Sequence, residues 1–149
     1  MRLEDIQKEA KQDRYDHDTM EFDTELLRIP NLHHKWIGIL TEEKNRLIQL
    51  KHERSTLRRK KWAYYTGKMS QEELEQEGWE PFDLKVLKTD IQMYLDADAD
   101  LQKKEFAIEY QDNKIAYVEG VLKEIMSRQW TIRSAIDYVK FVGGEVRTT

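Results

Sequence analysis

The sequence predicts an all-α fold, a long helical hairpin with short accessory helices. Three observations carry that prediction. Charged residues make up 36% of the chain and apolar residues 39%, a balance suited to long helices with one apolar stripe and a wide solvated remainder. Apolar residues recur every seven positions in two separate stretches. Six glycines and two prolines are too few for the turns of an extended all-β fold.

The elements follow in order. Residues 2–14 read as a short charged helix with Leu3, Ile6 and Ala10 on one side. Asp16 to Asp23 is rich in capping and turn residues, and Pro30 stands where a first helical turn tolerates proline. One long helix is predicted from Asn31 to about Thr66. In it Trp36, Leu50, Leu57 and Tyr64 form a seven-residue ladder broken only by Glu43, with Leu40 and Leu47 at the complementary positions, a coiled-coil-like period. Gly67 stops it, because glycine accepts the left-handed conformation after a helix. Ser70-Gln71-Glu72-Glu73 is a capping box that opens a short helix ending near Gly78. Trp79-Glu80-Pro81-Phe82 is a connector, and Asp83 to Leu95 a further short helix or a pair of turns. A second long helix runs from about Asp98 to Arg128, with Leu101, Ile108, Ile115 and Leu122 seven apart and Val118 and Ile125 extending the stripe. A break is expected at Arg128-Gln129-Trp130, then a last helix from Thr131 to Val142 ended by Gly143-Gly144. Phe106, Tyr110, Tyr117 and Val121 make the stripe too broad for a lone hairpin to cover, so self-association is expected.

Several function classes lose their basis. There is no cysteine, which removes disulfide scaffolds and thiolate metal sites and fits a reducing cytoplasm. No apolar run reaches the length of a membrane span, and the first thirty residues are too acidic for a signal peptide. No GxxxxGK[ST] run provides a phosphate-cradling loop. With no serine–histidine signature and no cofactor motif either, neither an enzyme nor a cofactor is expected. Asp96, Asp98 and Asp100 invite a calcium reading, but an EF-hand would need glycine and glutamate where Leu101 and Ala107 stand. Those aspartates are better read as caps at a positive helix N-terminus. His33 and His34 are helical neighbours that do not face one ligand, and His17 and His52 have no companions, so no metal site is expected.

The stretch with a function is 51–68. Lys51, Arg54, Arg58, Arg59, Lys60, Lys61 and Lys68 stand there against one acid, Glu53, in a chain of net charge −4. At about 100° per residue, Lys51, Arg54, Arg58, Lys61, Trp62 and Tyr65 share roughly a third of the helix circumference. Cations neutralise phosphates and release counterions, and aromatic rings give stacking platforms that any base can use. Single-stranded nucleic acid asks for that combination. On the pattern alone, a solvated charged face over buried rings is equally good, and DNA is not separated from RNA.

At this point the chain resembles a known family, the UvsY recombination mediators of T-even-like phages. The resemblance lies in Met1-Arg2-Leu3-Glu4-Asp5, in His34-Lys35-Trp36, and in the basic helix leading into Tyr64-Tyr65-Thr66-Gly67-Lys68. It returns in Val86-Leu87-Lys88 and in Met126-Ser127-Arg128 followed by an aromatic and Ile132, and so covers nearly the whole chain. It implies a mediator that binds single-stranded DNA coated by the phage single-stranded-DNA-binding protein and helps load a UvsX-like recombinase. It implies a closed ring of six or seven copies, at work in the cytoplasm of the infected bacterium. Arg59 and Lys61 match the family's key basic positions. Residues 1–128 would then form the DNA-binding part, and 129–149 an assembly helix with Ile132, Ile136 and Val139 at the contact. This chain is longer than the family pattern around 68–82 and at its C-terminus, and Pro30 interrupts what would be a continuous first helix. The competing readings are a coiled-coil scaffold without DNA affinity and a small RNA-binding regulator.

Overall fold

A computed structural model describes residues 1–16 and 21–144. His17 and part of the Asp16–Asp23 turn segment therefore lie outside the described residues. Five α-helices and no strand are found among them: α1 (Leu3–Gln12), α2 (Phe22–Tyr65), α3 (Gln71–Glu77), α4 (Ile91–Ala97) and α5 (Ala99–Val142). The all-α expectation holds, and α2 and α5 are the two long helices that the ladders predicted. No described helix is long and apolar enough to cross a membrane.

The chain divides into two compact units. Unit 1 takes in Met1–Lys44 and Asn113–Thr149, and unit 2 takes in Asn45–Asp112. In unit 1 the core is built from Ile6 of α1, Leu32 and Trp36 of α2, and Val118, Leu122 and Ile125 of α5. Lys35 reaches from α2 to Glu9 (2.7 Å) and Asp13 (2.6 Å) at the end of α1, and the Trp36 indole N–H donates to the same Asp13 carboxylate at 3.1 Å. Glu43, the break in the α2 ladder, is buried and meets Lys114 of α5 at 3.0 Å. The Lys114 ammonium also donates to the Met1 carbonyl at 2.7 Å. The polar break is thus a charge pair sealed inside an apolar seam.

Unit 2 has a smaller core of Ile91 and Leu95 from α4 and Leu101 from α5, with Leu57, Tyr65 and Val86 packed on it. Arg54 pairs with Glu105 at 2.8 Å. Seven residues further along α2, Lys61 pairs with Asp98, seven residues back in sequence. That is the signature of antiparallel packing.

Two predicted boundaries are corrected. Pro30 does not begin the long helix but stands two turns inside it, since α2 starts at Phe22. Its ring removes one backbone donor and crowds the carbonyl of Leu26, which costs about 3 kcal/mol in a helix interior. The preceding turns are held nonetheless, by the ion pair of buried Glu25 with Arg28 at 2.9 Å and by Ile29 packed on the unit 1 core. The break at Arg128-Gln129-Trp130 is absent, because α5 runs unbroken to Val142. Neither glycine nor proline lies there, and Arg128 is drawn inward instead. Its guanidinium grips Glu124 one turn back at 2.9 Å and donates to the Asp13 carbonyl at 2.7 Å.

The caps follow the sequence closely. Gly67 has φ +72°, and the Lys68 and Gly67 amides fold back on the carbonyls of Ala63 and Tyr64, a Schellman ending. Ser70 and Glu73 form the reciprocal capping box that opens α3. The 83–90 stretch is non-helical, and only Ile91–Ala97 of the region read as a short helix or turns is α-helical.

The Glu43–Lys114 pair gives a stability test. Lys114→Met takes the nearer of two ammonium groups from buried Glu43, leaving the Met1 N-terminus at 3.4 Å, and is expected to cost up to about 3 kcal/mol, while Glu43→Leu with Lys114→Met should recover most of that loss. Urea unfolding midpoints of the single and double variants measure both.

Candidate nucleic-acid interface

The last four turns of α2 carry the predicted site, all within unit 2. A helix places residues spaced by four, seven, eight and eleven on one side. Lys51, Ser55, Arg58, Arg59 and Trp62 have that spacing, and all five are exposed. Lys68, just past Gly67, folds back so that its ammonium lies 4.6 Å above the Trp62 ring. Trp62, 42% exposed, therefore offers an aromatic face beside cations on both flanks. No carboxylate of the described residues pairs with Lys51, Arg59 or Lys68, so these charges are available to an anion.

Other cations of the stretch are already engaged. Arg54 holds Glu105 at 2.8 Å, Lys60 holds Glu77 of α3 at 2.6 Å, and Arg58 donates to the Gln92 side chain at 2.8 Å. Such exposed contacts are weak and exchangeable, so Arg54, Arg58 and Lys60 remain within reach of a phosphate.

Lys61 and Tyr65 turn the other way. Lys61 is only 5% exposed. Its ammonium sits 2.8 Å from Asp100 and 3.1 Å from Asp98, with the Trp79 ring centre 4.1 Å away and that of Tyr64 5.6 Å away. The Tyr65 hydroxyl donates to Asp98 at 2.5 Å. Its ring stands edge-on to Phe82, with centroids 5.1 Å apart, and packs against Tyr94 at 5.6 Å. Tyr64 is held by Trp79 at 5.3 Å and by its own hydroxyl, which donates to the Glu80 carbonyl at 2.6 Å. Edge-on packing of this kind is the favourable geometry for aromatic pairs. The predicted face is thereby divided. Lys51, Arg58 and Trp62 face solvent, and Lys61 and Tyr65 belong to an aromatic box behind them.

Sequence reasoning missed the residues that close the box: Trp79, Phe82, Tyr94 and Asp100. Two bulky rings in a four-residue connector were the available signal, because such rings seldom stay in water. The capping role read for the aspartates is observed at Asp98, whose carboxylate accepts from the Leu101 amide at 2.9 Å.

Charge in the box is strongly held. Burial opposes the Lys61 charge, but hydrogen bonds to Asp100 and Asp98 outweigh it and lift the ammonium above the ordinary lysine range. Burial likewise pushes Asp98 up, yet donation from Tyr65, the Leu101 amide and Lys61 brings its carboxyl below the usual range. Burial and the hydrogen bond to Asp98 raise the Tyr65 phenol. Among the described residues no group of three or more His, Asp or Glu side chains is arranged to hold a metal ion.

The predicted assembly residues occupy different settings. Ile132 is fully buried and Ile136 is half-buried, while Val139 is exposed. Toward its C-terminal end α5 also leaves Met126, Trp130, Tyr138, Phe141 and Val142 in water, with Phe141 at 79%. Most of them lie on the helix side opposite Ile132.

A profile of the family described as "Recombination, repair and ssDNA binding protein UvsY" matches residues 9–145. The chain belongs to the UvsY family. It is 25% identical over 145 residues to the recombination protein uvsY of Enterobacteria phage T4, covering 97% of this chain and all of that protein. Crystal structures of the bacteriophage T4 recombination mediator protein UvsY share the fold. One superposes with TM-score 0.80 at 23% identity, over 95% of this chain and 99% of the other, and a second lattice gives 0.79 at 24% identity, over 96% and 98%.

The divided face has a measurable consequence. Lys61→Ala should destabilise the protein by about 3 kcal/mol by leaving Asp98 buried and unpaired, whereas Arg59→Ala should stay within about 0.5 kcal/mol of the parent. The pH dependence follows from the directions of the shifts. Stability from the lowered Asp98 carboxyl is complete above the ordinary aspartate range and lost as pH falls through its native value. Stability from raised Lys61 and Tyr65 is complete below their ordinary ranges and lost as pH rises through their native values. Thermal melts should therefore show a plateau from about pH 5 to 9, and Asp98→Asn should flatten the acid limb.

Proposed function

We propose that this protein is a recombination mediator that binds single-stranded DNA through the exposed strip of α2. It would help load a UvsX-like recombinase onto strand coated by the phage single-stranded-DNA-binding protein, in phage recombination, repair and recombination-dependent replication. The carrying observation is the strip itself: Lys51, Arg58, Arg59 and Lys68 around an exposed Trp62, in a chain of a family described as binding single-stranded DNA. Cations supply the salt-dependent attraction to phosphates and the indole supplies a base-stacking face. Arg54 and Lys60 join the strip once a phosphate displaces Glu105 and Glu77. No group-transfer chemistry enters this role, which is one of binding and exchange in the cytoplasm of the infected host.

A single strip of a few cations binds weakly at cellular salt. We infer a closed ring of six or seven copies, which makes each later contact of one strand intramolecular and raises avidity steeply. The C-terminal part of α5 supports that reading, because Val139, Trp130, Tyr138 and Phe141 are exposed there and apolar patches of this kind mark interfaces. Ile136 is half-buried beside them, whereas Ile132 would act from within the protomer.

Fluorescence anisotropy of labelled oligo-dT across a salt series, with a duplex control, tests the strand-binding part. Log affinity for the single strand should fall by about 0.7 per log unit of salt for each phosphate contact. Lys51→Ala with Arg59→Ala should flatten that slope, and Trp62→Ala should cost about 1–3 kcal/mol per stacked base. A folded protein with no affinity for oligo-dT at low salt would instead favour a coiled-coil scaffold.

A further inference from the structure

Among the acids near a DNA-binding surface, most are expected to weaken binding. Asp98 is placed to do the opposite. It is the residue between α4 and α5, and one carboxylate there takes three donors: the Leu101 amide at 2.9 Å, the Tyr65 hydroxyl at 2.5 Å and the Lys61 ammonium at 3.1 Å. The first donor belongs to the first turn of α5, and the other two belong to the last turns of α2. Lys61 in turn lies under the Trp79 ring at 4.1 Å, so the connector after α3 is drawn in as well. The side chains that flank Lys61 in sequence are Lys60 and Trp62, both exposed.

We propose that Asp98 and Lys61 are positioning residues for strand binding. Their buried pair fixes the rotation of the last turns of α2, and so determines that Trp62 and Arg59 face outward together. This rests on the strand-binding reading above. It reverses the role that the family resemblance gives to Lys61, which becomes an internal anchor and touches no phosphate. A charged anchor serves where an apolar one would slide, because a buried ion leaves its partner only at a large desolvation cost. The aromatic rings around it keep water out and strengthen the pair.

The two roles give opposite expectations for three variants of the full chain. Asp98→Asn keeps a good helix cap and a hydrogen-bond acceptor for Tyr65, but removes the buried one of the two charges that hold Lys61, leaving exposed Asp100 at 2.8 Å. If Lys61 contacts phosphate, this variant loosens its hold, removes an acid and binds oligo-dT more tightly. If Lys61 is an anchor, affinity falls, by about tenfold for a pair of this burial. Lys61→Met should show a similar loss. The combination Lys61→Met with Asp98→Asn replaces the pair by a neutral, well-filled contact. It should recover affinity to within about threefold of the parent and keep the parent's salt slope, since no phosphate contact has been removed.

Anisotropy with oligo-dT is read alongside fluorine NMR of fluorotryptophan-labelled protein. In Asp98→Asn the Trp62 and Trp79 signals should move, while those of Trp36 and Trp130, which belong to unit 1, stay in place and report an intact fold. Should Lys61→Met not fold, Asp98→Asn and the double variant still decide. Unchanged or tighter binding by Asp98→Asn overturns the proposal, as does a double variant that binds more weakly than either single one with a flatter salt slope. A parent protein that does not bind oligo-dT at all sinks the strand-binding reading and this proposal with it.

Discussion

Charge buried inside apolar seams is the constraint on which the rest of this structure depends. Among the described residues Glu25, Glu43, Lys61, Asp98, Lys114 and Arg128 are all buried, and each meets an opposite charge. Seven-residue ladders alone allow two helices to slip by a heptad and keep their apolar contacts. The two pairs that join α2 to α5 or its cap, Glu43–Lys114 and Lys61–Asp98, forbid it. A slip of seven would set Glu43 against Ala107 or Val121 in place of Lys114, and a carboxylate left unpaired there is strongly destabilising. The net stability gained from such pairs is small, and what they provide is a single register.

Register matters because the proposed site lies on one helix and its alignment depends on another. The exposed strip of α2 is continuous in sequence, yet its direction is set by Asp98 and Asp100, some forty residues further on. Unit 2 has a small apolar core of Ile91, Leu95 and Leu101. The box of Tyr64, Tyr65, Trp79, Phe82 and Tyr94 supplements it, with Lys61 at its edge. Exposed and buried side chains thus alternate along a single helix, Lys60 and Trp62 outward with Lys61 between them inward.

Much of this was legible in the sequence. The ladders from Trp36 to Tyr64 and from Leu101 to Leu122 located the long helices, and Ser70, Gly67 and Gly78 marked real ends, because caps and periodicity are local effects. The failures have a common physical source. Pro30 looked like a helix start because its intrinsic cost is local, while the packing of Ile29 and the Glu25–Arg28 pair that offset it come with the fold. Arg128-Gln129-Trp130 looked like a break because a buried arginine was not anticipated. Helical spacing also put Lys61 and Trp62 on one face, which they nearly share. Spacing cannot say where that face meets a neighbouring helix, and the boundary falls between those two residues.

In the proposed complex the strand lies along the outer face of α2 with a base against Trp62. Photocross-linking of a strand carrying iododeoxyuridine, mapped by mass spectrometry, tests it most directly. Cross-links are expected at Trp62, lost in Trp62→Ala and competed away by unlabelled oligo-dT. Cross-links confined to Trp130 or elsewhere in unit 1, with Trp62 unmodified in a protein that binds the strand, would contradict it.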